Sequence, residues 1–322
     1  MVASRVSTRA QQQLITSNAL RTQRNVNDLQ VQIASGKKTQ FFSGIADDAG
    51  RLVNLKSELS HAEQFIQNIT ITEKRLDLMV FAMDAIEDIA RKARTDFAGM
   101  LNGGAADDHQ LSSLAQASLD QVVEVLNTKD DSRFLFSGGA VQTKPVNLSN
   151  AAYTAPAPGS PPTFVQTVET GYYQGDAVVQ SMRADDGFNV SYGLNANESA
   201  FEKLIRTLDN VSNVTFSDPI TAQEKIFLTA AMTELTELID NNGVDKTLSD
   251  LRIDIGLDRV ILDSLRDKHN NFLQFSQDSI AKIENIDPAE VITALNFEQI
   301  QLEASFTTIA RIKTLSLTNF LR

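Results

Sequence analysis

The sequence predicts a mainly α protein: a long antiparallel coiled-coil or helical-bundle shaft drawn from both chain ends, with a small β-rich insert domain between them. Three observations carry that expectation. Apolar residues recur in alternating steps of three and four over both ends of the chain, the period of helices packed along a seam. These stretches run long without a break, and the 322 residues hold only 7 Pro and 15 Gly. The pattern then fails between Phe134 and Leu194, where Gly, Pro, aromatic and β-branched residues come in short runs.

The elements follow in order. Near the N-terminus Ile15, Ala19, Thr22, Val26, Leu29 and Ile33 form one helical seam. Two of those positions are small or polar, so this helix is marginal by itself. The stretch SGKKTQFFSG ends it, and Ser43 or Asp47 is placed to cap a second helix through its side-chain oxygen. That helix is of coiled-coil length, with a seam from Leu55, Leu59, Ala62, Ile66 and Ile69 on through Leu76, Met79, Met83, Ile86, Ala90, Ala93 and Phe97. Asn102–Gly104 closes it, and another helix is expected from about Asp107 to Lys129.

Within the β-rich stretch, TFVQTVE, AVVQSMR and FNVSYGL alternate as strands do, and an Asp-Gly turn joins the last two. YTAPAPGSPP reads as an extended loop. Helices resume with Asn197 as the expected cap, and then after Ser217-Asp218-Pro219, with Pro219 at the first helical position. Leu248, Leu251, Ile255, Leu262, Leu265, Phe272, Ile283 and Ile286 mark a second long seam. Asp287, Pro288 and Glu290 supply cap, first position and capping box for the last helix, which carries Ile292, Leu295, Leu302, Phe306, Ile309 and Ile312. The order is palindromic, so the simplest packing pairs first helix with last and second with penultimate.

The formal net charge of −12 argues against nucleic acid as the main partner. The charge is uneven. Residues 1–46 are net +5, the tail from Ala289 is neutral, and the stretch between holds −17. There is no Cys, hence no disulfide framework, thiolate metal site or Cys nucleophile. No run approaches the roughly 18 apolar residues of a membrane span, so no membrane insertion is expected. MVASRVSTRAQQQL lacks the apolar core of a secretory signal.

Catalytic patterns are missing too. His61, His109 and His269 lie far apart, and His269 falls on a seam, where a packed histidine is expected. FSGGA around Ser137 lacks the spacing of a nucleophile elbow. The adjacent Asp47 and Asp48 point to different helix faces and suit a helix start better than a carboxylate pair. Met79 and Met83 belong to the seam. A non-enzymatic protein without catalytic residues, metal or cofactor is expected.

Four stretches resemble a known family. LQVQIASGKKTQFFSGIADDAGRLVNLKSEL resembles the first block of the flagellin superfamily, and IDPAEVITALNFEQIQLEASFTTIARIKTLSLTNFL resembles its last. SRFLFSGGAVQTKPV and YYQGDAVVQSMRADDGFNVSYGLNANESAF resemble the hook–filament junction branch of that superfamily, whereas Asp-Asp-Ala-Gly at 47–50 is closer to flagellin. The resemblance implies a structural subunit of the bacterial flagellum, self-assembling helically through its terminal helices into the junction layer between hook and filament.

It further implies terminal helices at 1–45 and 288–322 that are disordered in the free monomer and form the tube core. The helical shaft would be 46–132 and 197–287, with an outer insert at 133–196. The implied assembly interface is Ile15, Val26, Leu29, Ile33, Leu295, Leu302, Phe306, Ile309, Ile312, Leu315, Leu317 and Phe320. Implied partners are neighbouring copies, other hook-associated protein and flagellin subunits, and an export chaperone bound at the C-terminal region. The implied location is extracellular, reached through the flagellar type III export channel without a cleaved signal. A flagellin is the alternative within the superfamily. From another class stands a soluble exported coiled-coil adhesin or type III tip protein, which would use Tyr153, Tyr172, Tyr173 and Tyr192 in the insert.

Overall fold

A computed structural model describes the backbone of residues 3–102, 108–240 and 246–318, and within them the side chains other than those of 3–9, 12, 46, 108–109 and 312–318. The protein is mainly α, 67% helical, with two small antiparallel sheets among the described residues. It divides into two compact units. The terminal unit is Met1–His61 with Asn271–Arg322, and the body unit is Ala62–Asn270.

The terminal unit pairs the first helix, α1 (Ala3–Ser35), with the last, α7 (Pro288–Thr318). The pair is antiparallel, since Asn25 donates to Glu298 at 3.1 Å while Lys37 bridges to Asn285. Ala19, Thr22 and Val26 are buried from one side and Val291 from the other, so the first half of the palindrome holds. Gly36 ends α1 at φ +70°, a conformation open to Gly but strained for residues with a Cβ, and its N–H reaches back to the Gln32 carbonyl at 2.8 Å. The turn is then pinned. Lys38 N–H donates to the Glu284 carbonyl at 2.7 Å, and Ile286 N–H to the Gly36 carbonyl at 3.1 Å. Asp287 caps α7 as expected, accepting from Ala289 N–H at 2.9 Å with Pro288 at the first position.

Glu284 sits at this corner between two lysines, Lys56 and Lys37. Their hydrogen bonds hold its carboxyl below the ordinary glutamate value of 4.5. A depressed carboxylate stabilises the fold above its unfolded pKa and loses that contribution as pH falls through the lower folded value. Amide-exchange protection of Lys38 and Ile286 is therefore expected to drop below about pH 4.5, and Glu284→Gln to remove that pH dependence. Protection independent of pH in the parent protein would contradict this assignment.

The body unit is built on α2 (Ala46–Leu101), which enters it at Ala62, and α6 (Leu248–Glu284), which leaves it at Asn270. The expected seams are the ones that bury: Ile69, Leu76, Met83, Ile86 and Phe97 on α2, and Leu251, Ile255 and Leu262 on α6. Ion pairs Asp84–Arg252 (3.1 Å), Asp77–Arg259 (3.0 Å) and Glu73–Arg266 tie the two antiparallel, second helix to penultimate. Pairs this exposed add little stability, but their heptad spacing on α6 fixes the register. His269 is buried on the α6 seam, its ring 5.3 Å from that of Phe65 and its Nε2 2.8 Å from the Ala184 carbonyl.

Beside these lie α3 (Asp108–Leu126), a hairpin of β1 (Lys129–Asp130) and β2 (Arg133–Phe134), a second hairpin of β3 (Gln180–Asp185) and β4 (Phe188–Tyr192), then α4 (Ser199–Ser212) and α5 (Ala222–Ile239). The Asp-Gly turn joins β3 to β4 as expected. TFVQTVE, expected as a strand, is not one. Its backbone is claimed by α4 side chains instead: Asn210 accepts from Val165 N–H at 3.0 Å and donates to its carbonyl at 3.1 Å, and Glu202 accepts from Glu169 N–H at 3.1 Å. Those bonds satisfy the groups a neighbouring strand would have taken.

Two caps also move. Glu198, not Asn197, precedes α4, and its side chain makes no capping bond. Thr221 and Glu224 form a reciprocal capping box for α5, leaving Pro219 outside the helix. The nearer box satisfies two free N–H groups at once, so it sets the start.

Candidate assembly interface

Among the described residues the fold gathers no group of three or more His, Cys, Asp or Glu that could hold a metal ion. What it offers instead is unpartnered surface, and the terminal helices carry much of it. On α1, Ile15 and Leu29 are half-buried beside the buried Val26. On α7, Leu295, Leu302 and Ile309, seven residues apart, are likewise half-buried. These six expected site residues form the seam between the two helices.

Two further expected residues, Ile33 and Phe306, share that face by spacing yet stay open, at 37% and 53% exposed. The seam face therefore extends past what the pair itself covers. The side chains of Ile312, Leu315 and Leu317, and Phe320 altogether, lie outside the described residues.

A second apolar surface is not among the residues expected from the sequence. Phe297 and Ile300 on α7 are 68% and 67% exposed, and Leu14, Leu20 and Val31 on α1 are open as well. At about 100° per residue, Phe297 and Ile300 turn away from Leu295, and Leu20 and Val31 from Val26. A helix with apolar residues beyond one stripe is a helix meant for burial on more than one side. The sequence does hold a signal, since Phe297 and Ile300 interrupt the polar side of α7, but the seam period points to the other face. Phe41 and Phe42 add exposed aromatic surface in the connection to α2, beside a hollow of about 160 Å³ floored by Ile45, Leu52 and the Lys37–Glu284–Lys56 cluster.

The four insert tyrosines go elsewhere. Tyr172 and Tyr192 are buried, and every hydroxyl is engaged: Tyr172 donates to the Ala196 carbonyl at 3.0 Å, Tyr192 to Gln180 at 3.0 Å, Tyr173 to the Asp176 carbonyl at 2.7 Å and Tyr153 to Asp209 at 2.5 Å. Burial pushes the Tyr173 phenol up to about 12, with Asp176 adding to the shift. They pack the body and do not form an aromatic binding face. Among the described residues, no helix is long and apolar enough to cross a membrane.

By fold this is a mainly α chain whose first and last helices pair antiparallel, with open apolar surface on both. The particular fold is that of the flagellar hook-associated proteins, hook-associated protein 3 among them. A flagellar hook-associated protein from Vibrio parahaemolyticus superposes with a TM-score of 0.57 at 16% identity, covering 75% of this chain and 100% of that one. Flagellar hook-associated protein 3 from Legionella pneumophila gives 0.50 at 13% identity, covering 71% and 98%. Bacillus cereus FlgL gives 0.46 at 15%, covering 73% and 99%. No family model and no curated protein matches the sequence.

Proposed function

We propose that this chain is a structural subunit of a bacterial flagellum, assembled at the junction between hook and filament. The observation that carries the reading is the open apolar surface on both members of the α1–α7 pair, on a fold shared with hook-associated proteins. Burying six exposed side chains of that size in neighbouring copies would supply on the order of 10 kcal/mol per subunit. In this proposal 1–45 and 288–322 line the tube and order fully on assembly, 46–132 and 197–287 surround them, and 133–196 is the outer part. Assembly outside the cell requires export, and a chaperone shielding the apolar C-terminal helix beforehand fits the same surface. The role is structural, with no reaction to catalyse.

Labelling cells with an antibody against residues 133–196 tests the placement by electron microscopy. A band where hook meets filament is expected. Label along the whole filament would make the chain a flagellin, and flagella without label would return the reading to a soluble exported coiled-coil protein.

A further inference from the structure

The seam between the terminal helices holds a charge where an apolar residue belongs. On α7, Val291, Leu295, Glu298, Leu302, Ser305 and Ile309 follow one another in alternating steps of four and three, and all are buried or half-buried. Glu298 is the one charged residue of that stripe. The facing stripe of α1 has none: Ala19, Thr22 and Val26 are buried, with Ile15 and Leu29 half-buried on either side. Beside Val26 the Asn25 carboxamide donates to Glu298 Oε1 at 3.1 Å. The other carboxylate oxygen, Oε2, is shielded and has no hydrogen-bond partner among the described residues.

A carboxylate is a poor choice for holding two helices together. It gives up its hydration and recovers one neutral donor, where a leucine would add apolar burial. Nor does the register require it. The backbone bonds at Lys38 and Ile286 already fix how α1 lies against α7. Asn18, one heptad from Asn25, would offer the same carboxamide after a slip of seven residues.

What a lone polar pair in a seam does decide is which helices accept each other. α7 needs such a choice made, since Phe297, Ile300 and Phe306 are exposed on it and another copy's α7 is an apolar partner. Packed seam to seam, two α7 helices would set each Glu298 against its twin or against a seam leucine. Like charges so placed are strongly unfavourable, whereas α1 presents an uncharged stripe with a carboxamide at the right height.

We propose that Asn25 and Glu298 are the specificity pair of the terminal helices: Glu298 makes the seam face of α7 accept α1 and reject the α7 of a second copy. The inference deepens the assembly reading and rests on it only for the use of that choice in the cell. Its test needs purified protein alone.

Full-length protein is compared with Glu298→Gln and Glu298→Lys by hydrogen exchange along α1 and α7 and by sedimentation velocity over a concentration series. Glutamine keeps the acceptor for Asn25 and removes the charge. Exchange should then change less than threefold, while the concentration at which chains self-associate should fall at least tenfold. Lysine restores like-charge rejection and should associate no more readily than the parent. The chain has no Cys of its own, so the contact can be located. In the Glu298→Gln background, an equal mixture of Leu295→Cys and Leu302→Cys chains should give disulfide dimers on mild oxidation, in either helix direction. Four results would overturn the proposal: Glu298→Gln no more associated than the parent, Glu298→Lys associating as Glu298→Gln does, association without those disulfides, or exchange in Glu298→Gln faster by tenfold. The expected results from a chain that antibody labelling does not find on flagella would leave the specificity pair standing and remove the flagellar reading.

Discussion

Deleting residues 303–322 is expected to abolish incorporation into flagella while leaving the body unit folded. The deletion removes Phe306, exposed on the seam face, Ile309, half-buried against the α1 side, and the apolar residues Ile312, Leu315, Leu317 and Phe320 that follow. Burying five or six such side chains is worth roughly 1.5–3 kcal/mol each, so their loss removes about 10 kcal/mol from each subunit's attachment. That exceeds a factor of a million in the association constant, since each 1.4 kcal/mol is about tenfold. The body unit keeps its own contiguous core from Ile69 through Leu262 and contains no residue of the deleted segment. Its melting transition should therefore stay within a degree or two, measured by calorimetry on the truncated chain. Normal flagella built with the truncated protein would refute the assembly role of the tail, whereas a collapsed melting transition would show that the tail supports the body.

Phe201→Ala is expected to produce the opposite pattern, a large loss of stability in the body unit. Phe201 is fully buried on α4 and meets Phe136 edge to face, with ring centroids 6.0 Å apart. Truncating a buried Phe to Ala loses about 3–5 kcal/mol, through lost transfer energy and the cavity left behind. Domains of this size are stable by only about 5–15 kcal/mol, so the melting temperature should fall by on the order of 10 °C. The exposed Phe297 provides the contrast: Phe297→Ala should change the melting temperature little and act on assembly instead. A shift below about 2 °C for Phe201→Ala would mean that the α4 core does not set the stability of this unit.

The two mutations separate what is legible in a sequence from what is not. The seams of α2 and α6 are legible because a three-and-four apolar period sustained over many turns arises from little besides packed helices. His269 is legible as a packed residue because it keeps that period. Val165 is not legible, for a physical reason. Its surroundings alternate like a strand, but alternation says nothing about whether the backbone's partner is another strand or, as here, the carboxamide of Asn210, 45 residues away in sequence. At Pro219 two cap signals lie close together, and the Thr221–Glu224 box prevails because it satisfies more N–H groups.

By itself the sequence determined the helices, the pairing of first with last and second with penultimate, and the lack of catalytic patterns. These follow from local periodicity, charge and residue type. Only the tertiary structure decided which apolar faces remain open: Phe297 and Ile300 on α7, and Ile253, Leu257, Val260 and Ile261 on α6. Whether a side chain is covered depends on what the rest of the chain brings against it, and that non-local fact is written in no window of the sequence.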